Sequence, residues 1–329
     1  MMKLSTMKKV MNTVNSEWRS PLGEEILERW GYDKCSATIL RASANFIFEF
    51  YKEGKQLFLR FNDSSERDYS SIEAELNIVK YLGNRALNVA QPITSLNGND
   101  IEVIETKLGT FYAVVFEALE GKHLNMEEIS DQQAYIWGKS LGNLHANLKQ
   151  LPEEYRVNRP SWKDLLLEAK EALPKKELAA HKEFERLLIW ADELSLSKEN
   201  FGIIHYDFEL DNVIFDNNTI GMLDFDDSSL HWFAADIVYA WRDVGDFNVK
   251  NPMITTFIDG YKTETNLDME ILRAFSGFER LHKLISLAKL IRAVDIDAAE
   301  DHPEWLINLR LKLSGIIEKY RLSIEKLNK

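Results

Sequence analysis

The chain has 329 residues, 45% of them hydrophobic, and its 40 Lys and Arg against 53 Asp and Glu give a formal charge of −13. Its 17 Phe, 11 Tyr and 8 Trp can bury far more apolar surface than a disordered chain does, and the acid excess argues against nucleic acid or an anionic membrane as partner, since both need clustered cations. The length exceeds what one hydrophobic core fills, so two lobes are expected. The single cysteine, Cys35, excludes an intrachain disulfide framework and suits a reducing cytoplasm. Lys3, Lys8 and Lys9 precede no long apolar run, which makes residues 1–20 a poor signal peptide. No window approaches about 18 consecutive apolar residues, so no membrane-spanning helix is expected and a cytoplasmic protein is the working frame. Nothing in the composition indicates an oligomeric state.

In chain order, Asn45 to Tyr51 is aromatic and β-branched, Glu53-Gly54 is a turn, and Gln56 to Phe61 is a second strand, which together read as a β-hairpin. Alternation puts Leu57, Leu59 and Phe61 on one face and Arg60 on the other. Ser70 to Leu82 carries Ile72, Leu76, Val79 and Leu82 at helical spacing behind a cap region at Asp68 to Ser71. Asn97-Gly98 is a hairpin turn leading into strands Ile101 to Thr106 and Phe111 to Phe116. Past Glu117 the pattern becomes helical. Gln132 to Leu148 has Ile136, Leu141, Leu144 and Leu148 on one stripe, with Gly138 and Gly142 leaving room for close packing. Leu165 to Leu173, Phe184 to Leu194, Phe275 to Val294 and Leu306 to Leu327 are further helices. The expected architecture is α+β: a small antiparallel-sheet lobe with one key helix over residues 1–118, and a larger, mostly helical lobe over 119–329.

Between those helices lies an island of strand character, Ile203 to Phe225. Asp216-Asn217-Asn218 is turn chemistry between two apolar runs. An antiparallel hairpin centred on Asn218 places Asn212 directly opposite Asp224 at its open end, with Asp207 five residues before Asn212. Two carboxylates and an amide oxygen then converge. Hard oxygen donors of this kind suit Mg²⁺, which takes one or two carboxylates together with nucleotide phosphates.

His205-Tyr206-Asp207, then Asn212, then Asp224-Phe225-Asp226 resembles the catalytic loop and metal-binding element of the aminoglycoside phosphotransferase and choline kinase superfamily, nearest its bacterial homoserine-kinase-like and stress-response-kinase-like branches. The resemblance implies a bilobal protein-kinase-like fold with ATP in the cleft and Mg²⁺ as cofactor. It implies Asp207 as the catalytic residue, Asn212 and Asp224 as metal ligands, and His205 and Asp236 (in Ala235-Asp236-Ile237) as supports of the loop. It further implies Arg60 as the strand cation that grips the α/β-phosphates, paired with Glu75 on the following helix; Glu73 lies about 200° around that helix from Glu75, so only one of the two faces the cleft. Arg41 to Asn45 stands where a phosphate-covering loop would be, with Ser43 as a donor, and Glu117 and Leu119 stand at the hinge that reads adenine. The chain departs from the pattern in carrying Arg60 for Lys and Tyr206 for Gly, and in lacking a G-x-G-x-x-G loop. His145, on an apolar stripe, reads as a core histidine.

The acceptor is read as a small molecule. Glu209, Asp211, Asp226, Asp227, Asp243 and Asp246 could form an acidic mouth, and Trp232, Phe233, Tyr239 and Trp241 aromatic walls, for an amino alcohol, amino acid, amino sugar or aminoglycoside. Asp226, Asp227 and Trp241 are the acceptor-site candidates. Two rivals stand beside this reading: a Ser/Thr protein kinase of the stress-response type, and a nucleotide-binding module without turnover.

Overall fold

Alternation in the aromatic strands dictates a sheet with one apolar and one mixed face. The computed structural model describes residues 1–242, 244–245, 247–297 and 301–327. It begins with helices α1 (Leu4–Met11) and α2 (Pro21–Leu27) and then forms, from the described residues, a six-stranded antiparallel sheet. The strands are β1 (Thr38–Ala42), β2 (Phe46–Lys52), β3 (Lys55–Asp63), β4 (Pro92–Ile93), β5 (Glu102–Thr106) and β6 (Gly109–Glu117), with α3 (Tyr69–Gly83) between β3 and β4. Across the sheet they run β1-β2-β3-β6, and β4 and β5 lie end to end along the far side of β6. Leu57, Leu59 and Phe61 join Phe46, Phe48, Phe50 and Phe111 in one apolar cluster, where Phe61 stacks on Phe46 at 5.1 Å and meets Phe111 edge-on at 5.6 Å. On the other face α3 lays Ile72 and Leu76 against Val114 of β6, the strand residue paired with Arg60.

Three expectations change here. Asn97-Gly98 does turn, with Ser95 N–H donating to Asn99 O at 2.8 Å, but it joins two strands that pair with β6 and not with each other. The one expected helix is joined by α1 and α2, whose Leu4, Met7, Val10, Leu22, Ile26 and Leu27 close the apolar cluster together with Leu306 and Leu313. Helices of eight and seven residues are too short to hold alone in water, so their periodicity is faint and packing sets them. The strand β1 is an addition to the expected set: Arg41 and Ala42 end it, and Ser43 to Asn45 is the turn of a β1–β2 hairpin.

The remaining elements are α4 (Asp131–Leu148), α5 (Trp162–Ala172), α6 (Leu178–Asp192), β7 (Phe201–Ile204), β8 (Val213–Asp216), β9 (Thr219–Met222), β10 (Ser229–Trp232), α7 (Phe233–Ala240), α8 (Pro252–Lys262), α9 (Met269–Arg273), α10 (Phe275–Ala293) and α11 (Glu304–Lys326). A capping box between Ser130 and Gln133 starts α4. Its glycine face meets α8 backbone to backbone: a Cβ on Gly138 would stand 1.8 Å from the Phe257 carbonyl oxygen, and one on Gly142 2.4 Å from that of Tyr261. Where the chain leaves β6, Gly121 has φ +119° and its Cβ would stand 2.5 Å from Phe215 O. This crossover therefore lies directly on β8, sealed by mutual bonds between the Lys122 and Phe215 backbones at 3.0 and 2.8 Å.

The hairpin that carries the motif is shifted from its expected register. Val213 pairs with Met222 and Asp216 with Thr219 around a two-residue turn, so Asn212 stands opposite Leu223, whose N–H donates to Asn212 O at 2.9 Å. Asp224 falls one place further on. A one-residue step sends a side chain to the opposite face of a strand, and Asp224 escapes that because the strand has ended and its own φ is +59°. No helix among the described residues is long and apolar enough to cross a membrane.

The α4–α8 contact makes a direct prediction. In urea unfolding, Gly138→Ala should lose about 3 kcal/mol, at the upper end of overpacking costs, because the obstacle is backbone. Gly315→Ala, in α11 with nothing within 4 Å of the added carbon, should instead gain about 0.5–1 kcal/mol from helix propensity.

Candidate active site

Residues 205–212 leave β7 and enter β8 without regular structure except a short 3-10 turn at Leu210–Asn212, so other elements must hold their shape. Asp236, on the first turn of α7 and fully buried, supplies most of the hold. Its carboxylate accepts the backbone N–H groups of His205 and Tyr206 at 2.8 Å each, and the Nε2–H of His145 at 2.9 Å. His145 Nδ1 in turn accepts from Tyr261 Oη at 2.8 Å. Burial lowers the His145 pKa, against the pull of Asp236, so it stays a neutral bridge. His205 is buried and neutral for the same first reason; its Nε2–H donates to Leu223 O at 2.9 Å and its Nδ1 accepts the Asp207 N–H at 3.3 Å. The loop is thereby tied to the hairpin end that carries Asp224.

Asp207 lies at the mouth of this loop. Asn212 Nδ2 donates to its carbonyl at 2.9 Å and to its Oδ2 at 3.0 Å, which leaves the amide oxygen of Asn212 for another partner. Arg60 reaches the same place from β3. Its guanidinium grips Glu75 through two bonds of 2.7 and 2.6 Å and meets Asp224 Oδ1 at 3.3 Å, while lying 4.9 Å over the Phe116 ring. Arg60 and Glu75 are 5% and 2% exposed, whereas Glu73 faces solvent. Burial works against the Arg60 charge, but Glu75 and then Asp224 and Asp226 outweigh it and raise its pKa. Asp224 goes the other way. Burial and the neighbouring Asp226 charge raise its pKa well above the carboxylate range, although 33% of its side chain opens on the cavity. It is a carboxylate one positive charge short.

Asp226 and Asp227 are placed differently from the expected open acidic mouth. Asp226 is bound by Arg67 at 2.7 Å and Asn45 Nδ2 at 2.9 Å. Asp227 lies 3.4 Å from Lys289 and 3.6 Å from Arg67. Burial opposes both charges, but Arg67 for the first and Lys289 with Arg67 for the second hold them below the usual carboxylate pKa. Glu209 pairs with Arg242, and Asp211 is exposed and 3.9 Å from Arg41. Asp243 and Asp246 lie outside the described residues. The aromatic walls are a correction: Trp232, Phe233, Tyr239 and Trp241 are core residues. Trp241 packs on Trp137 at 5.0 Å and Phe257 at 5.6 Å and does not border the cavity.

A cavity of about 740 Å³ brings the other site residues together. Arg60, Glu75, Asn212 and Asp224 border one part of it, with Ser43 and Asn45 of the β1–β2 turn. Ile47, Val79, Ala90, Phe116 and Met222 give an apolar part that ends at Glu117 and Leu119. The Glu117 N–H is already bonded to Gln91 O at 3.0 Å, so Leu119 is the better placed of the two for backbone recognition. Tyr206, Asp207, Glu209, Asp227, Arg242 and Lys289 border the far part. Sequence reasoning missed Arg67, Arg159, Arg242 and Lys289. Arg159, buried between the lobes, donates to the carbonyls of Ser71, Phe225, Asp226 and Ser228 and so fixes the segment after Asp224. The partners of these cations, Asp207, Glu209, Asp226 and Asp227, and the carbonyls bound by Arg159 are all distant in sequence, so no local spacing signals these contacts.

The chain matches the phosphotransferase enzyme family (APH) over residues 38–275. It belongs to that family. Amicoumacin kinase of Bacillus subtilis (strain 168) is 24% identical over 303 residues, spanning 87% of this chain and 89% of that protein. Among solved structures, an amicoumacin kinase in complex with AMP-PNP, Ca²⁺ and Ami gives a TM-score of 0.80 at 22% identity, covering 97% of this chain and 96% of the other. A microcompartment-associated aminopropanol kinase gives 0.68 at 16% identity, covering 92% and 98%, and spectinomycin phosphotransferase in complex with ADP and spectinomycin gives 0.62 at 16%, covering 92% and 97%. The phosphotransferase thus has the kinase-like bilobal fold, and its enzyme class is that of a kinase.

The Arg60–Glu75 pair is the part of this phosphotransferase site with the plainest energetic consequence. Arg60→Met strands a buried carboxylate and should lose about 3–5 kcal/mol in urea unfolding. Replacing Glu75 by Leu in the same chain should restore most of that loss.

Proposed function

We propose that this phosphotransferase moves the γ-phosphoryl group of ATP to a hydroxyl of a small, amine-bearing molecule. The observation that carries the reading is the convergence on one cavity of Asp207, Asn212 and Asp224, from one loop and the hairpin after it, with Arg60 from β3. Asp207 receives or orients the acceptor hydroxyl. The hydroxyl oxygen bonds to the γ-phosphorus as the bond to the β–γ bridging oxygen breaks, ADP departs with that electron pair, and the hydroxyl proton passes through Asp207 to water. Arg60 binds the α/β-phosphates while Glu75 fixes its fork. The apolar part of the cavity takes the base, with Leu119 at its edge.

A divalent cation fits the donor set. Asp224 shares the single charge of Arg60 with Glu75, and the described residues contain no group of three or more His, Cys, Asp or Glu side chains that could hold a metal. One carboxylate and one amide oxygen suit Mg²⁺, which keeps waters and takes phosphate oxygens. Asp224 and Asn212 would hold it, and when bound it supplies charge neutralisation to the phosphates.

For the acceptor, Asp207 and Glu209 pair with Arg242, Asp211 with Arg41 and Asp227 with Lys289 on the cavity lining, a nearly compensated mouth with a slight acid excess. The names of the relatives, two amicoumacin kinases and an aminopropanol kinase, support a hydroxyl acceptor that carries an amine. ADP release should be measured with amicoumacin, 1-amino-2-propanol, spectinomycin and homoserine, against glycerol and glycerate as amine-free hydroxyls, with Asp207→Asn as the blank. At least one amine-bearing acceptor should turn over, and Asp207→Asn should slow it by about 10²–10⁴-fold with little change in the ATP dissociation constant. Turnover that survives Asp207→Asn contradicts the mechanism; preference for uncharged or anionic hydroxyls contradicts the acceptor class.

A further inference from the structure

Tyr206 is held where its own chemistry resists being. Its φ is +74°, in the left-handed region that a β-carbon disfavours by roughly 1–2 kcal/mol. Such outliers persist only when their surroundings over-determine them. Here α7 supplies the surroundings from both of its ends. At the first turn, Asp236 accepts the N–H groups of His205 and Tyr206. Just past the last turn, Arg242 donates through Nη1 to the Tyr206 carbonyl at 3.1 Å, and its Nη2 and Nε pair with the carboxylates of Asp207 and Glu209.

Tyr206 is therefore fixed at its N–H by an acid on α7 and at its C=O by a base two residues past the end of that helix. The carboxylate that follows is fixed as well. Arg242 takes Asp207 Oδ1 while Asn212 takes Oδ2. The three acceptors on Arg242 use three separate nitrogens of a planar fork, which an ammonium cannot imitate.

We propose that Arg242 is a positioning residue of the phosphoryl transfer: it holds the Tyr206 peptide in its left-handed conformation and thereby sets the direction of the Asp207 carboxylate. The proposal rests on Asp207 being the group that meets the acceptor hydroxyl. It gives Arg242 no contact with the phosphoryl group or the acceptor hydroxyl; its effect runs through the loop and the Asp207 carboxylate. The Tyr206 ring, packed 5.0 Å from Tyr239 and 5.9 Å from His282, could hold the backbone by itself, so the test must remove the ring without removing the strain.

Tyr206→Gly and Tyr206→Ala both remove the ring, and only Ala keeps the β-carbon that strains the left-handed φ. Each is made in the full chain with Arg242 intact, with Arg242→Gln and with Arg242→Lys. ADP release from Mg·ATP is measured with amicoumacin as the acceptor probe, alongside the ATP dissociation constant and the melting temperature. With Arg242 intact, the Ala variant should turn over within about threefold of the Gly variant and melt below it, since the clamp enforces the strain. With Arg242→Gln, kcat of the Ala variant should fall about tenfold below Gly, the factor that corresponds to the left-handed penalty. The melting gap should close or reverse, because the released loop no longer bears the strain. Arg242→Lys should behave as Arg242→Gln, and ATP affinity should stay within about twofold throughout.

An Ala-to-Gly ratio of kcat and a melting gap that are both unchanged by removing the guanidinium would overturn the proposal, as would wild-type kcat in Arg242→Gln. If the parent protein shows no Asp207-dependent ADP release, the functional reading fails instead, and the melting comparison still decides whether Arg242 holds the loop.

Discussion

The site depends on one buried carboxylate. Asp236 has no access to solvent and is satisfied by hydrogen bonds from two backbone N–H groups and one neutral imidazole. A buried acid is tolerable only when its oxygens are fully engaged, so its presence obliges His205, Tyr206 and His145 to be where they are. His145 brings in α4, Tyr261 brings in α8, and the glycine contact between those helices keeps them at the required separation. The irregular loop that carries Asp207 is thus as fixed as the helical core beneath it, although it has almost no regular structure of its own.

A second constraint is charge. An acidic protein that binds a polyanion needs its carboxylates disarmed near the phosphates, and the structure does this with cations drawn from separate elements. Arg60 comes from β3, Arg67 from the approach to α3, and Lys289 from α10. Arg60 and Arg67 meet Asp224, Asp226 and Asp227 across the gap between the sheet and the helices, and Lys289 pairs with Asp227 from the helical side. Asn45 of the β1–β2 turn also bonds Asp226. The same contacts that neutralise the acids join the two halves of the cleft. Asp224 has only a share of Arg60, whose fork is taken up by Glu75, and it stands at the position where a divalent cation would sit.

Much of this was legible in the sequence, for identifiable reasons. Strand alternation put Arg60 opposite the apolar face of β3, and the spacing of Asp207, Asn212 and Asp224 reflects a loop and a hairpin that are local in the chain. What failed was mostly non-local or conformational. The register error at Asp224 came from taking Asn218 as the turn centre, and no composition rule foretells that an aspartate will adopt a left-handed φ. Arg67, Arg242 and Lys289 acquire meaning only when distant segments fold together. Trp241 and its aromatic neighbours were read as walls of a site, yet residues 233–240 are apolar on every side apart from Asp236, and a helix apolar all round is a buried one. That signal was available. The helices α1, α2 and α8 were too short or too interrupted by small residues to declare themselves.

The dependence of the loop on Asp236 is tested most directly by Asp236→Asn, which keeps the shape but turns one accepting oxygen into a donor that faces a backbone N–H. With folding verified by circular dichroism, turnover should drop by about 10²-fold or more through misplacement of Asp207, while the ATP dissociation constant, set by residues on the other side of the cleft, stays within about twofold. Wild-type turnover in that variant would contradict the claim that this carboxylate sets the geometry of the site.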